Sequence, residues 1–374
     1  MRHTHHTFAS LAALAVLSAA TSAFASGDVC PCATDLNNDG VTDAPDLAIL
    51  LGAWGSAGLS DFDANGITDA TDLAVLLGAW GPCAAPANDN CAQAILLEGE
   101  TVVEPICNAS ATDSPVSFPA MCDGDRATIG KDIWYRYVAP YDGALIVNTY
   151  DSEFDTVLGV YGSIIQGGCA CPGGQFSFAT LLACDDDVAP GEVASFVEVP
   201  ITAGDCLTVR VGGYKYSAAD TDEGPGVLTL RPIKKGDRCD LAHDLPGTNH
   251  VEVMGTNAGD TWIEADQSSC ANGDERDEWY RYVMPCQGTL YISTCDPATD
   301  YDTTLAAYVG CGGLADEISC NDDSTTPGCQ LGGLNRKSEI NITADGGEVI
   351  YIRVSGFQNA VGTFKLILDA DCIG

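Results

Sequence analysis

Basic residues are scarce. The 374-residue chain carries 16 Lys and Arg against 53 Asp and Glu, a formal net charge of −37. That balance argues against nucleic acid and anionic membranes as partners, because both are held through basic patches. Histidine is scarcer still. Of five in the chain, only His243 and His250 lie beyond residue 25, so a Ser-His-Asp triad would have to use one of these two. Zinc needs CxxC pairs or histidine partners, and Cys30-Pro31-Cys32 and Cys169-Ala170-Cys171 have the wrong spacing. Nucleophile elbows, HExxH and Gly-rich phosphate loops are absent. Paired carboxylates for glycoside hydrolysis remain open, since acids are everywhere, but no pair stands out. Beyond residue 25 no apolar run reaches membrane-spanning length.

Residues 1–25 have the form of a secretory signal. Arg2 gives the positive start, Leu11 to Ala20 the apolar stretch, and Ala23-Phe24-Ala25 the small-x-small cleavage site. All 18 cysteines follow it. In an exported chain such an even, scattered set reads as disulfides. The mature protein is therefore expected to be secreted, soluble and disulfide-bonded.

One unit is written twice near the start, as DLNNDGVTDAPDLAILLGAWG from Asp35 and DFDANGITDATDLAVLLGAWG from Asp61. Each opens with a calcium loop of the EF-hand type, in which alternate positions offer hard oxygens. Loop one offers Asp35, Asn37, Asp39, the Val41 carbonyl, Asp43 and Asp46. Loop two offers Asp61, Asp63, Asn65, the Ile67 carbonyl, Asp69 and Asp72. Gly40 and Gly66 take the sharp turn at position six, and Asp replaces the usual Glu at position twelve. A short apolar helix follows each loop. The spacing predicts a core stripe of Leu47, Leu50, Leu51 and Trp54, repeated as Leu73, Leu76, Leu77 and Trp80. No helix precedes either loop, so the unit is loop then helix.

This doubled half-hand resembles the type I dockerin family over Cys32 to Cys83. The resemblance implies calcium as cofactor and docking to a cohesin-like or other extracellular protein. Family members often carry Ser or Thr, then Lys or Arg, at the partner-reading positions. This chain has Ala44-Pro45 and Ala70-Thr71, with Leu51-Gly52 and Leu77-Gly78 beyond. Any docking patch is therefore expected to be apolar, with Ile49 and Val75 about 200° round the helix from Leu47 and Leu73.

The rest of the chain is also duplicated. KDIWYRYVAP from Lys131 answers RDEWYRYVMP from Arg276, and FDTVLGVYG from Phe154 answers YDTTLAAYVG from Tyr301. CDDD from Cys184 answers CNDD from Cys320, and LTVRVGGY answers IYIRVSGF. Alternating runs such as ALIVNTY, ASFVEVPI, TLYIST and TFKLILD, separated by Gly, Asp and Pro, predict antiparallel strands. Trp134 and Trp279 are expected core anchors. Both copies resemble the bacterial pre-peptidase C-terminal domain, a jelly-roll-like β-sandwich, which implies an accessory module for binding, stability or secretion.

The expected fold is thus mostly β: two disulfide-bonded antiparallel sandwiches behind a small all-α half-hand module. Its boundaries are a signal at 1–25, the calcium module at 30–83, a linker at 84–90, and sandwiches at 88–233 and 236–374. The expected function is non-catalytic extracellular recognition or assembly. The alternatives are a carbohydrate-binding accessory to polysaccharide breakdown, with polysaccharide as partner, and an unrecognised hydrolase. His243 aligns with Ile95 of the first copy and reads as a packing histidine. Asp185-Asp186-Asp187 and Asn321-Asp322-Asp323 occupy corresponding loops and read as solvated turns or, with Asp155 and Asp302, as calcium sites. Tyr214, Tyr216 and Phe357 are candidates for stacking on sugar or capping the sandwich.

The expected bridges are Cys32–Cys83, closing the ends of the calcium module, and Cys91–Cys122, Cys239–Cys270, Cys169–Cys184 and Cys311–Cys320 from shared positions. Cys286, Cys295, Cys329 and Cys372 occur only in the last copy. Cys286 and Cys295 flank TLYIST and would sit roughly 30 Å apart on an extended strand, too far to bridge. If TFKLILD lies antiparallel beside TLYIST, Cys286–Cys372 and Cys295–Cys329 follow. Cys30, Cys107, Cys171 and Cys206 are left unassigned.

Overall fold

Alternation of apolar and polar residues every second position requires strands with one face inward, and strands dominate this chain. The computed structural model describes residues 32–37, 40–114, 128–163, 168–172, 179–189, 191–217, 220–260, 268–271, 273–274 and 276–373. The expected signal, Cys30, Asp39 and Cys122 lie outside the described residues. The chain divides into two units, Met1–Cys83 and Ala84–Gly374.

In the first unit, β1 (Val41–Thr42) is followed by helix α1 (Ala44–Gly52), helix α2 (Ala70–Gly78) and β2 (Gly81–Pro82). Strands β1 and β2 pair antiparallel, and a Cys32–Cys83 disulfide joins the same two ends. Each helix starts inside its loop. Asp43 and Asp69 are the N-caps, and Asp46 and Asp72 complete capping boxes three residues on.

The expected core stripe is corrected here. Only Leu50 and Leu76 are fully buried, while Leu51, Trp54, Leu77 and Trp80 are about half exposed. The reason is the loop. A two-turn helix has one narrow inward face, and Asp46 and Asp72 occupy part of it, one turn before Leu50 and Leu76.

The second unit holds two sandwiches. The first has β3 (Ile95–Leu97), β4 (Val102–Cys107), β5 (Ile129–Val138), β6 (Gly143–Asn148), β7 (Thr156–Ser163) and β8 (Ala179–Asp185). It continues with β9 (Phe196–Ile201), β10 (Cys206–Ser217), β11 (Asp220–Thr221) and β12 (Pro225–Lys234). One sheet runs β3-β5-β10-β7-β8 and the other β4-β12-β6-β9.

The second sandwich has β13 (His243–Asp244), β14 (His250–Thr256), β15 (Asp277–Val283), β16 (Gly288–Ser293), β17 (Thr303–Tyr308) and β18 (Glu317–Asn321). After the small pair β19 (Gln330–Leu331) and β20 (Leu334–Asn335) come β21 (Glu339–Ala344), β22 (Val349–Gly356) and β23 (Thr363–Cys372). Its sheets run β13-β15-β22-β17-β18 and β14-β23-β16-β21, the same plan. In each copy the inward residues of both sheets form the main apolar core.

Trp134 and Trp279 are buried, but outside those main cores. Each belongs to a smaller cluster on the other face of its sheet, with Cys91 and Tyr161 or with Cys239 and Tyr308. There each ring meets a buried guanidinium: Arg210 at 5.2 Å and Arg353 at 6.0 Å from the centroid. Arg210 is bonded to Asp132, and Arg353 to Asp274 and Asp277. The outer face is thus closed by a turn, a disulfide and a paired charge.

Four expected bridges are replaced. Cys91 pairs with Cys171, Cys239 with Cys311, Cys169 with Cys206 and Cys270 with Cys320, at Cα separations of 4.9–5.8 Å. Cysteines near in sequence flank the β7–β8 or β17–β18 region, whereas sheet order brings the N-terminal turn of each copy to it. Cys239 Sγ lies 3.8 Å from the Gly310 carbonyl at that hairpin. Cys286 joins Cys372 and Cys295 joins Cys329. Strands β16 and β23 run antiparallel with Gly288 opposite Cys372, which brings the first of these pairs together. Cys107 and Cys184 are also disulfide-bonded.

Candidate functional site

Two kinds of acidic site are built. In the calcium-type loops, carboxylates at positions one and twelve gather the backbone around them. Gly40 N–H donates to Asp35 Oδ2 at 2.6 Å, and Gly66 N–H to Asp61 Oδ2 at 2.7 Å. Both glycines have left-handed backbone, φ 85° and 93°, which favours a residue without Cβ. Leu36 and Asp43 N–H donate to the two oxygens of Asp46, each at 2.7 Å. Phe62 and Asp69 N–H do the same for Asp72, at 2.7 and 2.8 Å. Burial alone would raise the Asp72 pKa, but backbone donors from Asp69, Phe62 and Asp63 hold it below the ordinary carboxylate value.

Three of the expected ligands of loop two converge. Oxygens of Asp61, Asp63 and Asp72 lie within 4.8 Å of one another, and Asn65 Oδ1 turns back to accept from Ile67 N–H at 3.0 Å. In loop one, Asp35 and Asp46 are buried, and Val41 sits in β1. Asp43 and Asp69 take the N-cap positions, with Asp69 Oδ1 accepting from Thr71 N–H. A donor set of this kind, all oxygen and mostly carboxylate, fits a hard divalent cation. The interior of this unit reinforces the fit. Among its described residues the buried side chains are two leucines, Leu50 and Leu76, against Asp35, Asp46, Asp72 and four Ser or Thr.

Each sandwich carries a second acidic cluster. Oxygens of Asp155, Asp186 and Asp187 lie within 4.8 Å of one another, and so do those of Asp302, Asp322 and Asp323. In both copies one acid precedes the third strand of the large sheet and two follow the edge strand. A buried serine fixes the loop: Ser195 Oγ donates to the Asp186 carbonyl at 3.1 Å, and Ser338 Oγ to that of Asp322 at 2.7 Å. Burial and the neighbouring Asp187 and Asp222 raise the Asp155 pKa against the pull of the Tyr216 hydroxyl. Burial, then Asp323 and Asp302, push Asp322 up to about 6. A bound cation would reverse both shifts.

The aromatic residues separate. Tyr216 is exposed and its hydroxyl donates to Asp155 Oδ2 at 2.9 Å, with Tyr214 edge-on at 4.7 Å. Phe357 is half-buried. His243 and His250 face carboxylates, Glu278 and Asp369, each at 2.6 Å. Ile49 and Val75 are both 43% exposed.

Fold and acidic loops together define a disulfide-stabilised tandem of β-sandwiches behind a duplicated loop–helix unit. Residues 87–182 and 235–330, just over half the chain, each match the T9SS-associated family described as galactose binding domain-like, and the chain belongs to that family. The family and the disulfides point to an extracellular or secreted protein. Among solved structures, the chain is similar to the pre-peptidase C-terminal domain of collagenase from Bacillus anthracis. The identity is 16% over 37% of this chain and 98% of that one, with a TM-score of 0.23. It is also similar to the plant receptor-like kinase ANX2, 10% identical over 74% of this chain and 89% of that one, TM-score 0.20. Tripeptidyl peptidase 2 is 9% identical over 75% of this chain and 27% of that one, TM-score 0.23. No curated protein matches the chain.

Proposed function

We propose that this is an exported, non-catalytic recognition protein. Calcium orders a dockerin-like half-hand pair, that pair docks to a cohesin-like or other extracellular protein, and the tandem sandwiches bind a ligand. The observation that carries this reading is the interior of the first unit. Burying Leu50 and Leu76 contributes about 2–3 kcal/mol each, while Asp35, Asp46 and Asp72 are buried away from water and Asp72 is crowded by Asp61 and Asp63. A divalent cation at each loop would offset the cost of these buried and crowded carboxylates.

The docking face is duplicated as the loops are. Ile49 and Val75, Leu51 and Leu77, and Trp54 and Trp80 are exposed in matched pairs, at 43 and 43%, 51 and 51%, and 47 and 48%. Apolar surface concentrated on one small unit supports a protein partner. Immobilised full-length chain should capture a partner from its organism's secreted fraction in calcium and release it in chelator. Ile49→Lys with Val75→Lys should abolish capture while calorimetry still shows calcium uptake. Capture unchanged by the double variant would contradict docking through this face.

Carbohydrate is the ligand class favoured for the sandwiches by the family description, and exposed Tyr216 beside the first acidic cluster supports it. Polysaccharide retardation in affinity gels, lost in Tyr216→Ala, is the expected result.

A further inference from the structure

The second sandwich differs from the first at three positions that meet in space. His243 lies beside Tyr280 in the parallel pair β13–β15, where the first copy has Ile95 beside Tyr135 in β3–β5. Glu278 precedes the tryptophan of β15, where Ile133 precedes that of β5. Asp260 N–H closes a turn on the Asn257 carbonyl, where Ala111 closes the same turn on Asn108. Ala111 and Ile133 belong to the apolar core of the first sandwich. The second sandwich has put ionisable groups at all three places, and the side chains of Asp260 and Glu278 are 0% and 6% exposed.

Two buried carboxylates are strongly unfavourable unless a cation reaches them. That cation comes from the other sandwich. Lys234, the last residue of β12, places Nζ 2.8 Å from Asp260 Oδ1 and 3.4 Å from Glu278 Oε2. His243 Nε2 holds Glu278 Oε1 from the other side at 2.6 Å. The second oxygen of Asp260 is buried with no hydrogen-bond partner, and so is the hydroxyl of Tyr301. Within the second sandwich, His243 thus satisfies one oxygen of Glu278, while the charge-bearing partner of Asp260 is Lys234 of the first. Four residues after Lys234, Arg238 reaches back to Glu198 of β9, with Nη1 3.2 Å from Oε2, so contacts cross the join in both directions.

We propose that the second sandwich carries a receptor for an ammonium group, formed by Asp260, Glu278 and His243, and that Lys234 of the first sandwich is its occupant. The two copies are then a matched pair clasped at one site, not interchangeable repeats. The first sandwich, with Ile95, Ala111 and Ile133 at the matching places, has no such receptor.

Hydrogen exchange on the full chain, resolved by mass spectrometry, tests this. Lys234→Met should speed exchange in β13 and β15 by about tenfold or more, the expected result of stripping the partner from buried carboxylates, and leave β5 and β10 unchanged. Lys234→Arg, which keeps the charge, should retain most of the protection. In a background carrying the first copy's residues, His243→Ile with Asp260→Ala and Glu278→Ile, Lys234→Met should change nothing. Equal sensitivity to Lys234→Met in both backgrounds would overturn the proposal. So would a loss in Lys234→Arg as large as in Lys234→Met, or no loss in either.

Discussion

Replacing Gly66 by alanine isolates the backbone's part in the second loop. A Cβ at Gly66 meets nothing within 4 Å, so only its φ of 93° penalises a side chain. The expected cost is about 1 kcal/mol, read as a comparable weakening of calcium binding at loop two with loop one unchanged. Asp260 gives a pH signature at the same scale. Lys234 of β12, Glu278 of β15, Asp237 at the join and Tyr280 and Tyr301 face it. Burial pushes its carboxyl from 3.8 up to about 7, Glu278 and Asp237 add to the rise, and Lys234 opposes it. A folded carboxyl with a raised pKa binds more protons than the unfolded one, so its contribution favours the fold at low pH. That contribution is lost as pH rises from about 4 through about 7. Asp260→Asn should flatten this part of the pH dependence of second-sandwich exchange protection. An unchanged slope would show that Asp260 does not titrate there. The acidic loops proposed to hold calcium were legible in the sequence because their carboxylates recur at fixed offsets within one short stretch. The Lys234 receptor was not, because its residues come from separate elements that only the sheet order brings together. Ile133 becoming Glu278 within an otherwise matching WYRY strand, and Ile95 becoming His243, were the visible signs, but nothing in the sequence linked them to each other or to Asp260.

Among the elements, α1 and α2 depend on their loops more than on their own sequence. Nine residues are too few for a stable isolated helix, and Asp46 serves as both capping-box residue and loop anchor. Asp46→Ala should therefore unlock α1 by about 1–2 kcal/mol, seen as faster exchange in Ala44–Gly52 with α2 retained. For β16 and β23, Cys286→Ala with Cys372→Ala opens the bridge across their paired ends. It should lower second-sandwich stability by about 2–4 kcal/mol, measured by denaturant unfolding against the intact chain. The strands were legible from alternation alone, and TLYIST and TFKLILD occupy β16 and β23. The bridges inferred from matching positions were not, because a disulfide depends on which strands become neighbours. The helix stripe was misjudged because periodicity does not reveal that an aspartate will take the inward position.

At the scale of the whole molecule, a polar-cored unit, proposed above to be ordered by calcium, is followed along the chain by a tandem of sandwiches with their own apolar cores. The two units should therefore respond differently to calcium. Hydrogen exchange on the full chain, in millimolar calcium and then in chelator, tests this most directly. The account predicts that Ala44–Gly52 and Ala70–Gly78 are protected in calcium and exchange freely in chelator, while the core strands β5, β10, β15 and β22 stay protected in both. Protection of both helices that is equal with and without calcium would contradict it.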